Sequence, residues 1–543
     1  MEGAQERSGG ERALLAVLLF AAAVALLEPA GSGLAEPDET RYAEIPREML
    51  ATGDFVVPRL NGLPYFEKPP LLYWANAASI RLLGRTPGAA RLPTRLAGIG
   101  TALLVVAAAG GWRRRAGLAA GILLLVSPIG FLLARTNLTD GILTFFFAAT
   151  LLSARAAILR RAAGGPWRGL AALAGAAAAG AFLTKGLIAL ALPGLILLVW
   201  CAAAGRLRDL LALLASPAPL VFVALAAPWF VLAEQRHPGF IAFFFVHEHF
   251  ARFATGSARR AGPLLYFVPV FAIGFLPGLA FFGAALRKAW RRTDDGFFFF
   301  VWFAAVFVFF SLSRSKLPPY LFPAIPAAAL LAGRAAAVAR RRTWIVHAVL
   351  AVALAAALVL HPVSRGFLTE SRLQALVAPA LALLVVTAGA AVLLAGNSPS
   401  LALCSLGAGW IAFLASVVLG WPRTVPARFP AELAAAARAE GAPGIPLVGY
   451  KDYLNGVSWE LGVPIPVAAY RGELEPEFES RAEVRDALVW SPERFWALWK
   501  SDRPVLALVR LQDLVEMMTA APPARVVRYS GVHAVVANYP ESR

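Results

Sequence analysis

About thirteen apolar stretches of membrane-spanning length constrain this chain more than any other feature. They lie near 13–27, 89–111, 116–134, 141–158, 167–184, 186–204, 211–232, 263–286, 296–312, 319–338, 343–360, 373–395 and 400–420. A helix of roughly 17–25 apolar residues crosses the hydrocarbon core of a bilayer. Lipid offers no partner to a bare backbone, so each stretch must be helical. Charged residues make up only 15% of the 543 and hydrophobic ones 59%, against roughly a quarter charged in soluble domains. The chain therefore reads as an all-α polytopic membrane protein. Its first stretch, short and Ala-rich, has a cleaved signal peptide as a second reading. Either reading delivers residues 35–74 to the same, non-cytoplasmic side.

The net charge of +18 would suit nucleic acid if it formed a patch. It does not. The basic residues come in short runs between apolar blocks: Arg113 to Arg115, Arg160-Arg161, Arg206 and Arg208, Arg287 to Arg292, and Arg340 to Arg342. With alternating spans these runs share one side, which the positive-inside rule makes the cytoplasm. The opposite, periplasmic side collects the polar groups that do not read as anchors. These are the Glu36–Trp74 loop, the Arg135–Asp140 turn, Thr184-Lys185-Gly186, the Glu234–Gly262 loop with His247-Glu248-His249, and Ser313 to Lys316. Charges at membrane depth are costly and are functional candidates by default.

The richest of these is residues 35–74. Pro37 followed by Asp38 and Glu39 marks a helix start, because proline fits the first turn and acids complement the dipole. Asp38, Arg41 and Glu44 then fall three apart and share a helical face, which Pro46 is expected to disturb. Asn61-Gly62 between Val56-Val57-Pro58 and Leu63-Pro64-Tyr65 predicts a hairpin-like turn. Glu67 and Lys68 come next, stiffened by Pro69-Pro70.

In a compartment without nucleotide sugars, and in a chain without a phosphate-cradling glycine loop, an activated group would arrive on a lipid carrier. A carrier phosphate needs cations, for which Arg41, Lys68 and Lys185 are the candidates, with Arg252 and Lys316 behind them. Asp38 and Asp140 suit a general base or a positioner of the nucleophile. Glu67 with His249 could hold a divalent cation. Each has a plainer reading. Asp38 pairs with Arg41, Asp140 caps the span beginning at Gly141, Lys185 snorkels, and the histidines are hydrogen-bonded structure.

Asp38 to Glu44, followed by Tyr65 to Pro70 and Tyr73-Trp74, resembles the first periplasmic loop of bacterial lipid A aminoarabinose transferases. These are relatives of the protein O-mannosyltransferases and share the GT-C glycosyltransferase fold. The resemblance continues through Ala134-Arg135-Thr136 to Asp140, Leu183 to Gly186, Glu248-His249 to Arg252-Phe253, and Ser315 to Tyr320, in the same order. It implies inverting transfer from a polyprenyl phosphate sugar, with undecaprenyl phosphate as carrier and lipid A as the favoured acceptor. It further implies Asp38 as the main catalytic carboxylate with Asp140 near it. Arg41, Lys68 and Lys185 would bind the carrier phosphate and substrate, with Arg252, Lys316 and Tyr320 added. Glu67 with His249 would be a metal pair, with His247 an extra neighbour and the metal not necessarily required for chemistry.

Near Pro422 the pattern changes, so 1–422 reads as the GT-C transmembrane domain and 423–543 as a small periplasmic α/β domain. Its apolar runs are Ile445–Gly449, Pro504–Val509 and Val532–Val536, and no catalytic motif accompanies them. The only cysteines, Cys201 and Cys404, imply neither a disulfide framework nor a metal site. Two other functions fit the same polar groups: O-glycosylation of periplasmic protein or another glycan, and transport of a lipid-linked sugar. Transport is the poorer fit, because transporters often show paired repeats and broken helices at the midplane, whereas here the polar groups lie in loops at one face.

Overall fold

The computed structural model describes residues 2–29, 31–109, 115–245, 262–291, 295–360, 371–424, 430–470, 472–474, 478–519 and 524–540. They form two compact units. The first comprises Met1–Pro29, Leu92–Val231 and Ile241–Gly420; the second comprises Ala30–Arg91, Leu232–Phe240 and Trp421–Arg543.

Helix occupies each of the thirteen apolar stretches. Among the described residues, seven helices are long and apolar enough to cross a membrane: Gly9–Leu26, Pro87–Ala108, Thr139–Ala162, Pro217–Arg236, Arg341–Leu360, Val377–Leu394 and Pro399–Leu419. Two further stretches are broken. Arg115–Val126 meets Pro128–Arg135 at 71°, and Phe267–Gly274 meets Leu276–Arg287 at 110°. The first break has a local cause. Pro128 cannot continue a helix, and the Ser127 hydroxyl caps the new one by accepting from the Gly130 N–H at 3.1 Å. Counting apolar residues alone reads straight through it.

The first unit is held by an apolar core that includes Leu14, Leu118, Leu123, Trp302, Leu330, Trp344 and Trp410, all 1% exposed or less. Small residues let backbones approach. A Cβ on Gly333 would lie 2.6 Å from the Ala120 nitrogen, and one on Gly175 would run into the Ala218 carbonyl. That close approach is how the Ala-rich run Ala171–Ala179 packs. Two arginines serve the carbonyls left over at the end of the first helix. Arg95 donates to Leu26 at 3.0 Å and pairs with Glu28, and Arg135 donates to Val24 and Ala25 at 3.1 and 3.2 Å.

The second unit is built on a six-stranded sheet. Its strands are β3 (Leu447–Tyr450), β4 (Val467–Ala468), β5 (Val489–Trp490), β6 (Leu506–Arg510), β7 (Arg525–Ser530) and β8 (His533–Ala537). They run in the order β5-β4-β3-β6-β8-β7. The first four are mutually parallel, and β8 is antiparallel to both β6 and β7. Strand order therefore reverses between β3 and β6, the kind of position where open parallel sheets place ligands. Just past β3, Asp452 receives Arg510 in a two-pronged pair at 3.0 Å on both oxygens, and His533 Nε2 lies 2.8 Å from it. The three apolar runs seen in the sequence overlap β3, β6 and β8.

Residues 30–91 fold onto this sheet-bearing segment. Strands β1 (Arg59–Leu60) and β2 (Leu63–Pro64) make the expected hairpin, with Asn61 at φ 53° and Gly62 at φ 75°. The Asn61 amide donates to the Ile465 carbonyl and accepts from the Ile465 N–H, both at 2.8 Å. Arg59 pairs with Glu479 at 2.8 Å, and the Glu36 carboxylate accepts from the Gly456 N–H at 2.5 Å.

Candidate active site

The first loop's site is built on the helix Asp38–Thr52. It starts where Asp38 and Glu39 place two acids in the first turn. It ends at Gly53, whose φ of 71° lets its N–H bond Met49 O at 2.9 Å. Pro46 disturbs it by removing one hydrogen bond but does not end it. A proline at 46 cannot donate to the carbonyl of Tyr42, and Asn76 Nδ2 donates there instead at 2.8 Å. Every residue from Glu39 to Met49 is buried, so the charges must be paired. Arg91 grips Glu39 at 2.8 and 2.7 Å, and Arg47 grips Glu44 at 2.7 and 2.6 Å. Glu44 therefore belongs to Arg47 and not to the Asp38–Arg41 pair, since a helix turns 100° per residue and the face drifts.

Arg41 is 9% exposed. Its Nη1 donates to Asp38 Oδ1 at 2.8 Å, and its Nη2 contacts the Glu473 carboxylate. The Asp38 side chain keeps 41% of its surface, a group that can reach a second molecule. Three buried donors of the first loop have no hydrogen-bond partner among the described residues: Arg41 Nε, Tyr65 OH and Tyr73 OH. Burial pushes both phenols well above their ordinary range, so they remain hydrogen-bond donors at neutral pH. Lys68 Nζ donates to the Glu67 carbonyl at 2.9 Å and lies 3.8 Å from its carboxylate. Phe66 fixes this corner by packing on His237, Phe240 and Phe478.

The first unit carries its own cluster. Asp140, in the first turn of Thr139–Ala162, accepts from Lys185 Nζ at 2.6 Å, and Lys185 lies 5.2 Å from the centre of the Tyr320 ring. Asp140 and Lys185 thus form a pair, which the sequence assigned to two separate loops. Lys316 spends its ammonium on carbonyls at the end of the Phe297–Leu312 helix, Ser311 at 2.6 Å and Ser313 at 2.7 Å. It acts there as a cationic cap. His247, His249 and Arg252 lie outside the described residues. Among those described, no three His, Cys, Asp or Glu residues come together as a metal site, and both cysteines are free thiols.

Sequence reasoning missed Glu473 and Asn455. Asn455 Nδ2 donates to Glu473 Oε1 at 3.2 Å. Neither residue stands in a motif, and both reach Arg41's surroundings only because the first loop folds onto the sheet-bearing segment. No local sequence signal points to either.

A family model described as dolichyl-phosphate-mannose-protein mannosyltransferase matches residues 12–244. Two curated relatives, from Serratia proteamaculans and Edwardsiella ictaluri, are named undecaprenyl phosphate-alpha-4-amino-4-deoxy-L-arabinose arabinosyl transferase. They are 38% and 37% identical to this chain over 63% and 56% of its length. The chain spans 62% and 56% of theirs, less than two thirds. The deciding likeness is structural. The crystal structure of ArnT from Cupriavidus metallidurans bound to undecaprenyl phosphate superposes with a TM-score of 0.83 at 30% identity, covering 97% of both chains. The chain belongs to the ArnT family. The oligosaccharyltransferase AglB from Archaeoglobus fulgidus, at 12% identity and a TM-score of 0.50, shares the fold alone. ArnT family membership agrees with the resemblance read from Asp38 to Trp74, and the many apolar helices make this member a multi-pass membrane protein.

Proposed function

We propose that this chain is an inverting glycosyltransferase of the bacterial inner membrane, moving 4-amino-4-deoxy-L-arabinose from undecaprenyl phosphate to lipid A at the periplasmic face. The observation that carries the proposal is the end-to-end likeness to an ArnT that binds undecaprenyl phosphate, joined to an Asp38–Arg41 pair in the loop that motivates it. About thirteen spans would place residues 35–74 and a C-terminal α/β domain, 423–543, in the periplasm.

In this reading Arg41 and Lys68 take the carrier phosphate. The acceptor oxygen bonds to the anomeric carbon as the bond from that carbon to the carrier phosphate breaks. The bonding pair leaves on the phosphate oxygen, and the cations stabilise the charge that develops there. Asp38 takes the proton of a hydroxyl acceptor or orients a phosphate acceptor that is already ionised. Asp140, Lys185 and Tyr320 form a second substrate-facing group, with Arg252 among the phosphate ligands. The carbonyl cap formed by Lys316 supports a structural role for that residue. A divalent cation on Glu67 and His249 is a separate proposal, tested by the metal content of the purified protein. The transfer itself does not run through it.

The mannosyltransferase match supports a second reading, in which the acceptor is a periplasmic protein or another glycan. Mass spectrometry of lipid A and periplasmic glycans from cells with the gene, without it, and with Asp38→Asn separates the readings. An aminoarabinose on lipid A that is lost in both defective strains is the expected result. Unchanged lipid A with a sugar missing elsewhere replaces the acceptor. No glycan change in either strain overturns the transferase and favours a transporter.

A further inference from the structure

Arg41 carries more negative charge than it needs. One guanidinium, 9% exposed, faces two carboxylates, Asp38 and Glu473. A phosphate arriving at the same cation would meet both acids, and like charges on a partly desolvated site oppose each other strongly. The same loop leaves three buried donors without acceptors among the described residues: Arg41 Nε, Tyr65 OH and Tyr73 OH. Buried donors seldom go unserved, so this surplus points to an anion that binds there. One carboxylate must then give way.

The two acids differ in how firmly they are held. Asp38 sits one turn before Arg41 on the same helix and cannot leave its neighbourhood. Glu473 comes from the segment after β4. Besides Arg41 it has one hold among the described residues, the Asn455 amide at 3.2 Å, and its side chain keeps 19% of its surface. We propose that Glu473 is an exchangeable counter-ion of Arg41, pairing the guanidinium while no carrier is bound and yielding it when a polyprenyl phosphate arrives. This rests on the proposed carrier chemistry. It assigns Glu473 a setting of carrier affinity and release, with no contact to the reacting carbon.

The test is binding of undecaprenyl phosphate, without sugar, to the full-length protein in lipid nanodiscs. Glu473→Gln keeps the shape and the acceptor for Asn455 while removing the charge. It is expected to lower the Kd about ten-fold, the effect of one well-placed charge contact. The KM for the sugar donor should fall with it, while kcat stays level or falls because the spent carrier leaves more slowly. Asn455→Ala, which removes the other hold on Glu473, should shift affinity the same way by a smaller factor. It supplies the answer if Glu473→Gln does not fold. An unchanged or weaker affinity in both variants overturns the exchange and makes Glu473 a brace for Arg41. Failure of the wild-type protein to bind undecaprenyl phosphate sinks the carrier reading itself, and is visible before any variant is compared.

Discussion

Asp38 and Asp140 are both acids in the first turn of a helix, and both meet a cation, yet they sit in opposite kinds of surroundings. Asp140 has one ammonium to itself. Lys185 lies 2.6 Å away, and the two side chains keep only 11% and 18% of their surface. Asp38 keeps 41% of its surface and shares Arg41 with Glu473, close to donors that nothing described satisfies. A closed one-to-one pair neutralises itself and fixes geometry, whereas an open acid beside a contested cation is accessible to a second molecule. Paired acids are common in proteins, so it is the imbalance around Arg41 that singles out the first loop.

The largest test removes the open acid. Asp38→Asn should lower turnover at least about 100-fold, the usual scale of a lost acid–base or positioning group, while carrier binding is retained. Asp140→Asn should cost about ten-fold or less in turnover by the same scale. It should also lower the midpoint of thermal unfolding, because Lys185 then loses its partner. Equal losses of turnover at both positions would dissolve the distinction, and wild-type turnover by Asp38→Asn would remove Asp38 from the mechanism.

A smaller effect is expected at Lys68. If its ammonium takes carrier phosphate, Lys68→Ala should weaken binding of undecaprenyl phosphate about ten-fold, with folding intact because the side chain, which keeps 21% of its surface, is not sealed in the core. An unaltered Kd would confine the phosphate clamp to Arg41.

Much of this arrangement is legible in the sequence, and what is not legible has definite causes. The membrane character comes from apolar stretches that lipid forces into helix, and the hairpin from Asn61-Gly62, because few residue pairs adopt two successive positive φ values. The pairing of Asp38 with Arg41 follows from helical spacing. The run of helix through Pro46 is not legible, because the residue that replaces the lost hydrogen bond, Asn76, comes from the next helix. Glu473 is hidden for the same reason on a larger scale, since only the folding of residues 30–91 against the sheet brings it to Arg41. Local rules see partners three or four residues away and no further. The two-residue strands β4 and β5 are too short to leave a pattern at all.

The role of Asn76 can be tested separately. Asn76→Ala should cost about 1–2 kcal/mol, the penalty of a stranded buried carbonyl. Placed on a Pro46→Ala background, the same change should cost less than about 0.5 kcal/mol, because an alanine N–H at 46 can serve Tyr42. Equal costs on both backgrounds would show that Asn76 matters for some reason other than Pro46.

The finest test concerns the inner face of the same helix. Glu44 takes both prongs of Arg47, leaving Glu48 with the Gly62 N–H at 2.9 Å and an oxygen 3.8 Å from Arg47. Burial, reinforced by the Glu44 charge, pushes the Glu48 carboxyl up to about 8 from an ordinary 4.5. The folded protein therefore keeps a proton that the unfolded chain gives up, so this contribution to stability is whole below 4.5 and drains away as pH rises through 8. Glu36, pushed by burial to about 7, adds to the same slope. Glu479 works in the opposite sense, held at about 2 first by Arg481 and also by Arg59, so its contribution is lost only below 4.5 and leaves the window from 5 to 8 untouched. The unfolding midpoint should accordingly fall by a few degrees between pH 5 and pH 8, and Glu48→Gln should flatten that fall. A slope as steep in the variant would shift the cause to Glu36 or Glu44. The open pair at Arg41 would then stand above a helix whose inner charges are settled differently.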